Sequence, residues 1–555
     1  MNLTTAASQT TGRFIHKIPM KTVCVIGLGP SGLVAVKQLK NAGFDVMGFD
    51  RCSSVGGRWS LDEDHKMGVW KELCANSSRY HMEYSDFPWD AEDKYDGHEK
   101  AFGNIYPHCT EIKAYMEAYA KNFDLHKNMQ LETEVKSIEC NNNGDGGDDS
   151  SSSSSSSIGW KVVTTSKDGK NTTHEFDAIV VCNSAQNKAY HPLESKLKEF
   201  TGEVIHSKYF TSEKDYKGKR VLIIGGNVSG SEIISILAEN GECESVTHSV
   251  RKMPYQLQKF TKNDNTCFDD KMFVRFPVWA TKIVPDSLAT KGLKMTVLEH
   301  WPEQCTESLP NCSVGVTPDI RKCGLTISKS YVDDVQNGLF QVKKEVASVN
   351  GKMVTFADKT EEEFDVIICA TGYEFDMSFL PESVQEKVQV SHPVSGKKVL
   401  SLYKNTLVPE LDTLAFCGVV NSVGPYFPLA EMQARYISAI WSEKIPRPSI
   451  STLQSGAAAA TEKRLDDSSV LNQFEVATVI NEYLGDELGV TPSYAAAMWE
   501  PKKYLHGPVY SCFYRINAKA PDGDEAVADM CRKRFEKLIA SSPQVLKIEE
   551  AKVTG

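Results

Sequence analysis

The sequence predicts an α/β fold made of two nested Rossmann-like dinucleotide-binding units, with the second inserted in the first. Three observations predict it. Residues 21–50 run through an apolar stretch, glycines at G-x-G-x-x-G spacing, a helical pattern and a second apolar stretch closing on an acid. Residues 220–250 repeat the succession of apolar stretch, glycine-rich turn, helical pattern and second apolar stretch. A later apolar stretch, FDVIICATGY from Phe364, ends in small residues where backbone can approach a ligand closely.

In chain order, Val23 to Ile26 reads as a buried parallel strand. Gly27 permits the sharp turn, Gly29 lets backbone approach a pyrophosphate, and Gly32 lets the helix pack closely on the strand. Pro30 and Ser31 open that helix, whose free N–H groups and positive dipole end face the phosphates. Leu33, Val36 and Leu39 form its apolar face, and the helix reads as amphipathic. Asp50 ends the second strand, where a carboxylate can accept from a ribose hydroxyl. Arg51 and the loop RCSSVGGRW follow, and Gly57, Arg58 and Trp59 join the candidate cofactor contacts. Trp59 reads equally well as a core residue.

Residues 70–88 are polar and aromatic without clear period, an irregular loop of the kind that holds site residues on an α/β scaffold. Residues 110–123 have helical spacing. Strand-like stretches at 130–139 and 160–165 flank residues 141–157, an Asn/Gly/Asp and serine run that reads as a disordered hairpin tip. Another strand spans 176–182.

In the second unit, strand 220–224 enters a turn with Gly225, Gly226, Asn227, Ser229 and Gly230, then a helix over 231–239 and a strand over 245–250. Asn227 stands where the middle glycine belongs, and its side chain would crowd a pyrophosphate unless the backbone shifts towards Gly226. Ser249, Arg251 and Lys252 lie at the end of that last strand, where an Arg can meet a 2′-phosphate and select NADPH over NADH. The alternative is a solvated basic turn. Thr371 and Gly372 close the later strand. A strand over 415–420 and a helix over 429–441 return to the first unit, with Gln433 reaching the cofactor or standing exposed on the helix. GAAAATEK reads as an Ala-rich linker, followed by helices near 476–484 and 526–540.

Composition narrows the function classes. The net charge of −11 argues against a nucleic-acid partner. No stretch is long and apolar enough for a bilayer, and the charged final residues are no membrane anchor. Fifteen cysteines without a C-x-x-C pair point to free thiols in a reducing compartment and argue against metal binding and against disulfide-reductase chemistry. The expected location is cytoplasmic. The first twenty residues, free of acids and holding Arg13 and Lys17, read as a disordered start, with an organelle-targeting segment as the alternative.

These pieces together resemble flavin-containing monooxygenases. FTGEVIHSKYF, with Phe200, Gly202, His206 and Phe210, is similar to that family's fingerprint, as are ANSSRYHMEYSDFP with Asn76, CATGY and LAEMQAR. Baeyer–Villiger enzymes are similar but end the fingerprint on Trp followed by Pro or Asp. The resemblance implies FAD bound by residues 21–200 and 366–445, NADPH bound by 201–365, and a helical tail, 446–555, packed on the FAD domain. It implies transfer of one oxygen atom of O2, through a C4a-hydroperoxyflavin, to a nucleophilic nitrogen or sulfur of a small molecule, with no metal. It gives Asn76 the catalytic role, its amide donating to the peroxide or to NADP⁺; a turn Asn bonded to its own backbone is the alternative. His206 reads as structural. A Baeyer–Villiger activity on ketones, a non-oxygenating NADPH oxidase or redox sensor, and a homodimer stay open.

Overall fold

The computed structural model describes residues 20–62, 67–89, 105–141, 159–261, 266–281, 285–300, 311–314 and 319–541. The expected disordered start and nearly all of the serine insertion lie outside these residues.

The strand Thr22–Ile26 sits inside a six-stranded sheet ordered Leu407–Val408, Leu411–Phe416, Ala178–Val181, Thr22–Ile26, Asp45–Phe49, Met129–Gln130. All pairings are parallel except that of Leu407–Val408 with Leu411–Phe416. The period-two alternation of a strand sends its side chains to two cores. Val23 and Val25 enter one with the helix Pro30–Asn41; Cys24 and Ile26 enter the other with Trp160 and Val162. These last two lie on a three-stranded antiparallel sheet, Thr133–Asn141, Gly159–Ser166 and Asn171–Phe176, whose first two strands form the expected hairpin.

Three local readings change. The helix Pro30–Asn41 is not amphipathic, for every residue from Pro30 to Leu39 is buried. It lies between the sheet and the equally buried helix Tyr426–Trp441, which leaves no face for water. The strand expected over 130–139 is two strands in two sheets, broken where Glu132 adopts φ 50°. The Ala-rich linker is the interior of a helix, Ile450–Leu465. Alanine has the highest helix propensity, the Ser449 side chain caps the first turn by accepting from the Thr452 N–H, and Leu453 and Ala457 supply a buried face.

The second sheet is five-stranded and parallel, ordered Gln341–Lys343, Ser245–Ser249, Arg220–Ile224, Val366–Cys369, Glu203–His206. Val366–Cys369 therefore belongs to the second unit and not to the first, four residues beyond the division expected at 365/366. The chain rejoins the first sheet at Leu411–Phe416.

The later residues return to the first unit through buried ion pairs. Arg435 pairs with Asp522 through two bonds, and Arg515 Nη1 lies 2.9 Å from Asp86 Oδ2 and 3.0 Å from Glu431 Oε1. Arg534 pairs with Glu83 at 3.0 Å. Asp86 also receives Lys37 of the first helix. Among the described residues, no helix is long and apolar enough to cross a membrane.

Candidate functional site

Two glycine turns end the central strands of the two sheets. In the first, Gly27 has φ +92°, and a Cβ there would stand 2.9 Å from the Cys182 carbonyl oxygen. A Cβ on Gly32 would fall 1.8 Å from the Gly27 oxygen, so both positions require glycine. Gly29 and Gly57 face each other backbone to backbone, and a Cβ on Gly57 would meet the Gly29 Cα at 2.8 Å. Gly29 offers no side-chain cap to the helix it starts, and Pro30 follows at its first turn. That leaves the N–H groups of the first turn for an anion. The Asp50 carboxylate accepts from the Leu28 N–H at 2.6 Å and the Cys52 N–H at 2.9 Å. Each oxygen keeps a lone pair for a ribose hydroxyl. The residues present thus fit a dinucleotide.

Several first-turn side chains have other partners. Tyr426 OH donates to the Gly418 carbonyl (2.7 Å), so the Ser31 hydroxyl donates to Tyr426 (2.9 Å) and Ser31 has only backbone to offer a phosphate. Arg51 donates to Asn187 Oδ1 (3.1 Å), and Arg58 to the Met67 carbonyl (3.2 Å) and to Gln186. Trp59 is half-buried against the main core. Gln433 is not exposed on its helix. It is fully buried, its oxygen accepts from the Gly418 N–H (2.7 Å), and its amide nitrogen donates to the Asn405 carbonyl and to Thr406 Oγ1, both at 3.0 Å. It latches the turn after Leu411–Phe416 to a neighbouring loop.

In the second turn, Gly225 has φ +125°, and a Cβ there would lie 2.3 Å from the Ala370 carbonyl oxygen. A Cβ on Gly230 would sit 1.8 Å from the Gly225 oxygen. The middle position makes no such demand. Asn227 has φ −94° and ψ −176°, ordinary extended backbone, and its Oδ1 accepts from the Val228 N–H at 2.8 Å as the cap of the helix Val228–Asn240. Asn227 therefore folds onto its own helix, while Gly226 and Ser229 stay half-buried beside it. Ser249 is buried and donates to the Lys344 carbonyl at 2.9 Å, which takes it away from a phosphate. Arg251 and Lys252 are exposed just past the strand.

Thr371 Oγ1 donates to the Tyr190 carbonyl at 2.7 Å, and Gly372 has φ +90°. The buried His206 accepts at Nδ1 from the Lys208 N–H (3.0 Å), so its Nε2–H donates to the Gly372 carbonyl (3.0 Å). Burial and the neighbouring His191 push its pKa down to about 4, and the ring is neutral. Both ring nitrogens are thus engaged by backbone.

The loop with Asn76 is pinned on both sides. Ala75 N–H donates to the Pro107 carbonyl (2.9 Å), Ser78 N–H to Asp269 Oδ2 (2.5 Å), and Arg79 N–H to the Ile105 carbonyl (2.8 Å). Asn76 Oδ1 is buried with no hydrogen-bond partner. Such an atom in a fixed loop is a place for a ligand donor.

Two contributions escaped the sequence reading. Residues 183–187 follow the strand Ala178–Val181, and there Asn187 accepts from Arg51 and, through its carbonyl, from Lys208 Nζ at 2.7 Å. Burial and then Arg51 lower the Lys208 pKa. Gly418 has φ +70° and passes so close to Ser31 that a Cβ would fall 1.8 Å from its Oγ. The signal was there in both cases: an apolar strand ending in small or polar residues, as at CATGY.

A family model described as FMO-like, flavin-binding monooxygenase-like, matches residues 20–522. Dimethylaniline monooxygenase (N-oxide-forming) 2 of Cavia porcellus is 30% identical over 512 residues, covering 89% of this chain and 88% of its own. Among solved structures, S-allyl-L-cysteine S-oxygenase from Allium sativum gives a TM-score of 0.58 at 19% identity, over 93% of this chain and 99% of its own. Cyclohexanone monooxygenase from Rhodococcus sp. Phi1 bound to NADP⁺ gives 0.55 at 16%, over 88% and 99%. Both structural likenesses are of fold.

Proposed function

The chain belongs to the flavin-binding monooxygenase-like family, and from that premise we propose that it moves one oxygen atom of O2 onto a nucleophilic nitrogen or sulfur of a small molecule. The family's flavoproteins use FAD and NADPH. When bound, FAD supplies the oxygen-activating chemistry after reduction by NADPH, and the protein's part is to position, desolvate and hold.

In this reading the first glycine turn takes the pyrophosphate of FAD on the N–H groups after Gly29, with Asp50 on a ribose hydroxyl. The second turn takes NADPH, with Arg251 and Lys252 set for its 2′-phosphate and Asn227 standing aside on its helix. The His206 bond to Gly372 ties the second sheet to the segment after Val366–Cys369. The carrying observation is Asn76, whose amide oxygen is buried and unpartnered in a loop pinned on both sides. An amide oxygen accepts a hydrogen bond from a bound group without bringing a net charge to it.

The phenylalanine ending FTGEVIHSKYF favours nitrogen or sulfur over ketones as the oxygen acceptor. The test is single turnover of the FAD-loaded chain with NADPH, oxygen and one acceptor at a time. N-oxide or sulfoxide formed in proportion to NADPH is expected. An ester from a ketone would shift the assignment to Baeyer–Villiger chemistry. Hydrogen peroxide alone with every acceptor would leave an oxidase.

A further inference from the structure

A second polar cluster begins where the Asn76 loop meets the helix Phe268–Met272. His81 and Asp269 are fully buried and Asp270 nearly so. The three offer one ligand atom each, and these atoms lie within 4.8 Å of one another. His81 Nε2 stands 3.1 Å from Asp270 Oδ1, which also accepts from Tyr510 OH at 3.1 Å. Two atoms of the trio, His81 Nδ1 and Asp269 Oδ1, have no hydrogen-bond partner. The rings of Tyr510 and Phe273 wall the imidazole, with centroids 4.9 and 6.2 Å away.

Charge decides what completes such a cluster. Two carboxylates buried together are costly unless compensated. The nearby Glu83 is already matched by Arg534. A proton on His81 offsets one of the two charges; a dication offsets both. We propose that His81, Asp269 and Asp270 form a binding site for a divalent first-row transition cation. One imidazole and two carboxylates suit manganese, iron(II) or zinc. Calcium asks for more oxygen ligands than the trio supplies, and magnesium keeps to oxygen. The ion would staple the 78–81 turn to the helix Phe268–Met272 and, through Tyr510, to the later residues.

The test is titration of the full chain, stripped with a chelator and then freed of it, with Mn²⁺ alone. The free-ion electron paramagnetic resonance signal is followed. Mn²⁺ avoids competition from the fifteen cysteines, which prefer softer ions. One ion per chain is expected, and His81→Gln and Asp270→Asn should each weaken uptake at least tenfold while far-ultraviolet circular dichroism is unchanged. Uptake that both variants retain would overturn the site. So would no uptake by the unaltered chain, whether or not the variants fold.

Discussion

Asn76, Arg251 and Gln433 show how much of a site one residue can reveal. The Asn76 amide oxygen is buried without a partner, so its loss should be felt in chemistry and not in folding. Asn76→Ala should keep NADPH-driven flavin reduction and lower oxygenated product on the order of a hundredfold, with hydrogen peroxide in its place. Undiminished product in a coupled assay would remove the role. Arg251 is exposed beyond its strand. Arg251→Ala should raise the KM for NADPH about tenfold or more, the worth of a hydrogen bond to a charged group, and leave that for NADH nearly unchanged. Equal effects would mean no 2′-phosphate contact. The glycine positions were legible because φ +92° at Gly27 and the 1.8 Å approach at Gly32 admit no other residue. Gln433 and Ser249 were not. A polar side chain in a sequence gives no sign of which carbonyl, 28 or 95 positions away, will claim it.

At the scale of elements, local pattern located most strands and helices, and the errors share a cause. The break at Glu132 and the burial of the helix Pro30–Asn41 on every side come from which sheet or helix packs alongside, a long-range matter. The stretch GAAAATEK failed differently: low complexity suggested a linker where alanine propensity and the Ser449 cap make a helix. Gly456 in that helix passes over the Tyr403 ring, and an added Cβ would lie 2.6 Å from it. Gly456→Val should therefore lower stability by about 1–3 kcal/mol through overpacking, seen by calorimetry. A linker would accept valine without change, and an unaltered melting profile would restore that reading.

Across the whole molecule, the two sheets were foreseeable from their glycine turns, while the buried ion pairs that close the later residues onto the first unit were not. Burial would raise the Asp522 carboxyl, but Arg435 beside it wins and holds it well below the usual carboxylate range. A carboxylate depressed in the folded state adds stability above its unfolded pKa, about 3.9, and that part is lost as pH falls towards the folded value. Asp522→Asn should thus cost about 3–5 kcal/mol at pH 7, as breaking a buried pair does. The gap from the unaltered chain should narrow by pH 3.5 in calorimetric scans, and a constant gap would show that the pair contributes no pH-dependent stability. The same closure sets an order of events during synthesis. Ser85 and Asp86 receive Arg515 from a segment 429 positions later than Asp86. A ribosome-bound chain can finish both sheets, with Asp86 already paired to Lys37, and still hold this stretch without Arg515. Ser85 and Asp86 therefore reach their final setting only after nearly all the rest has been translated.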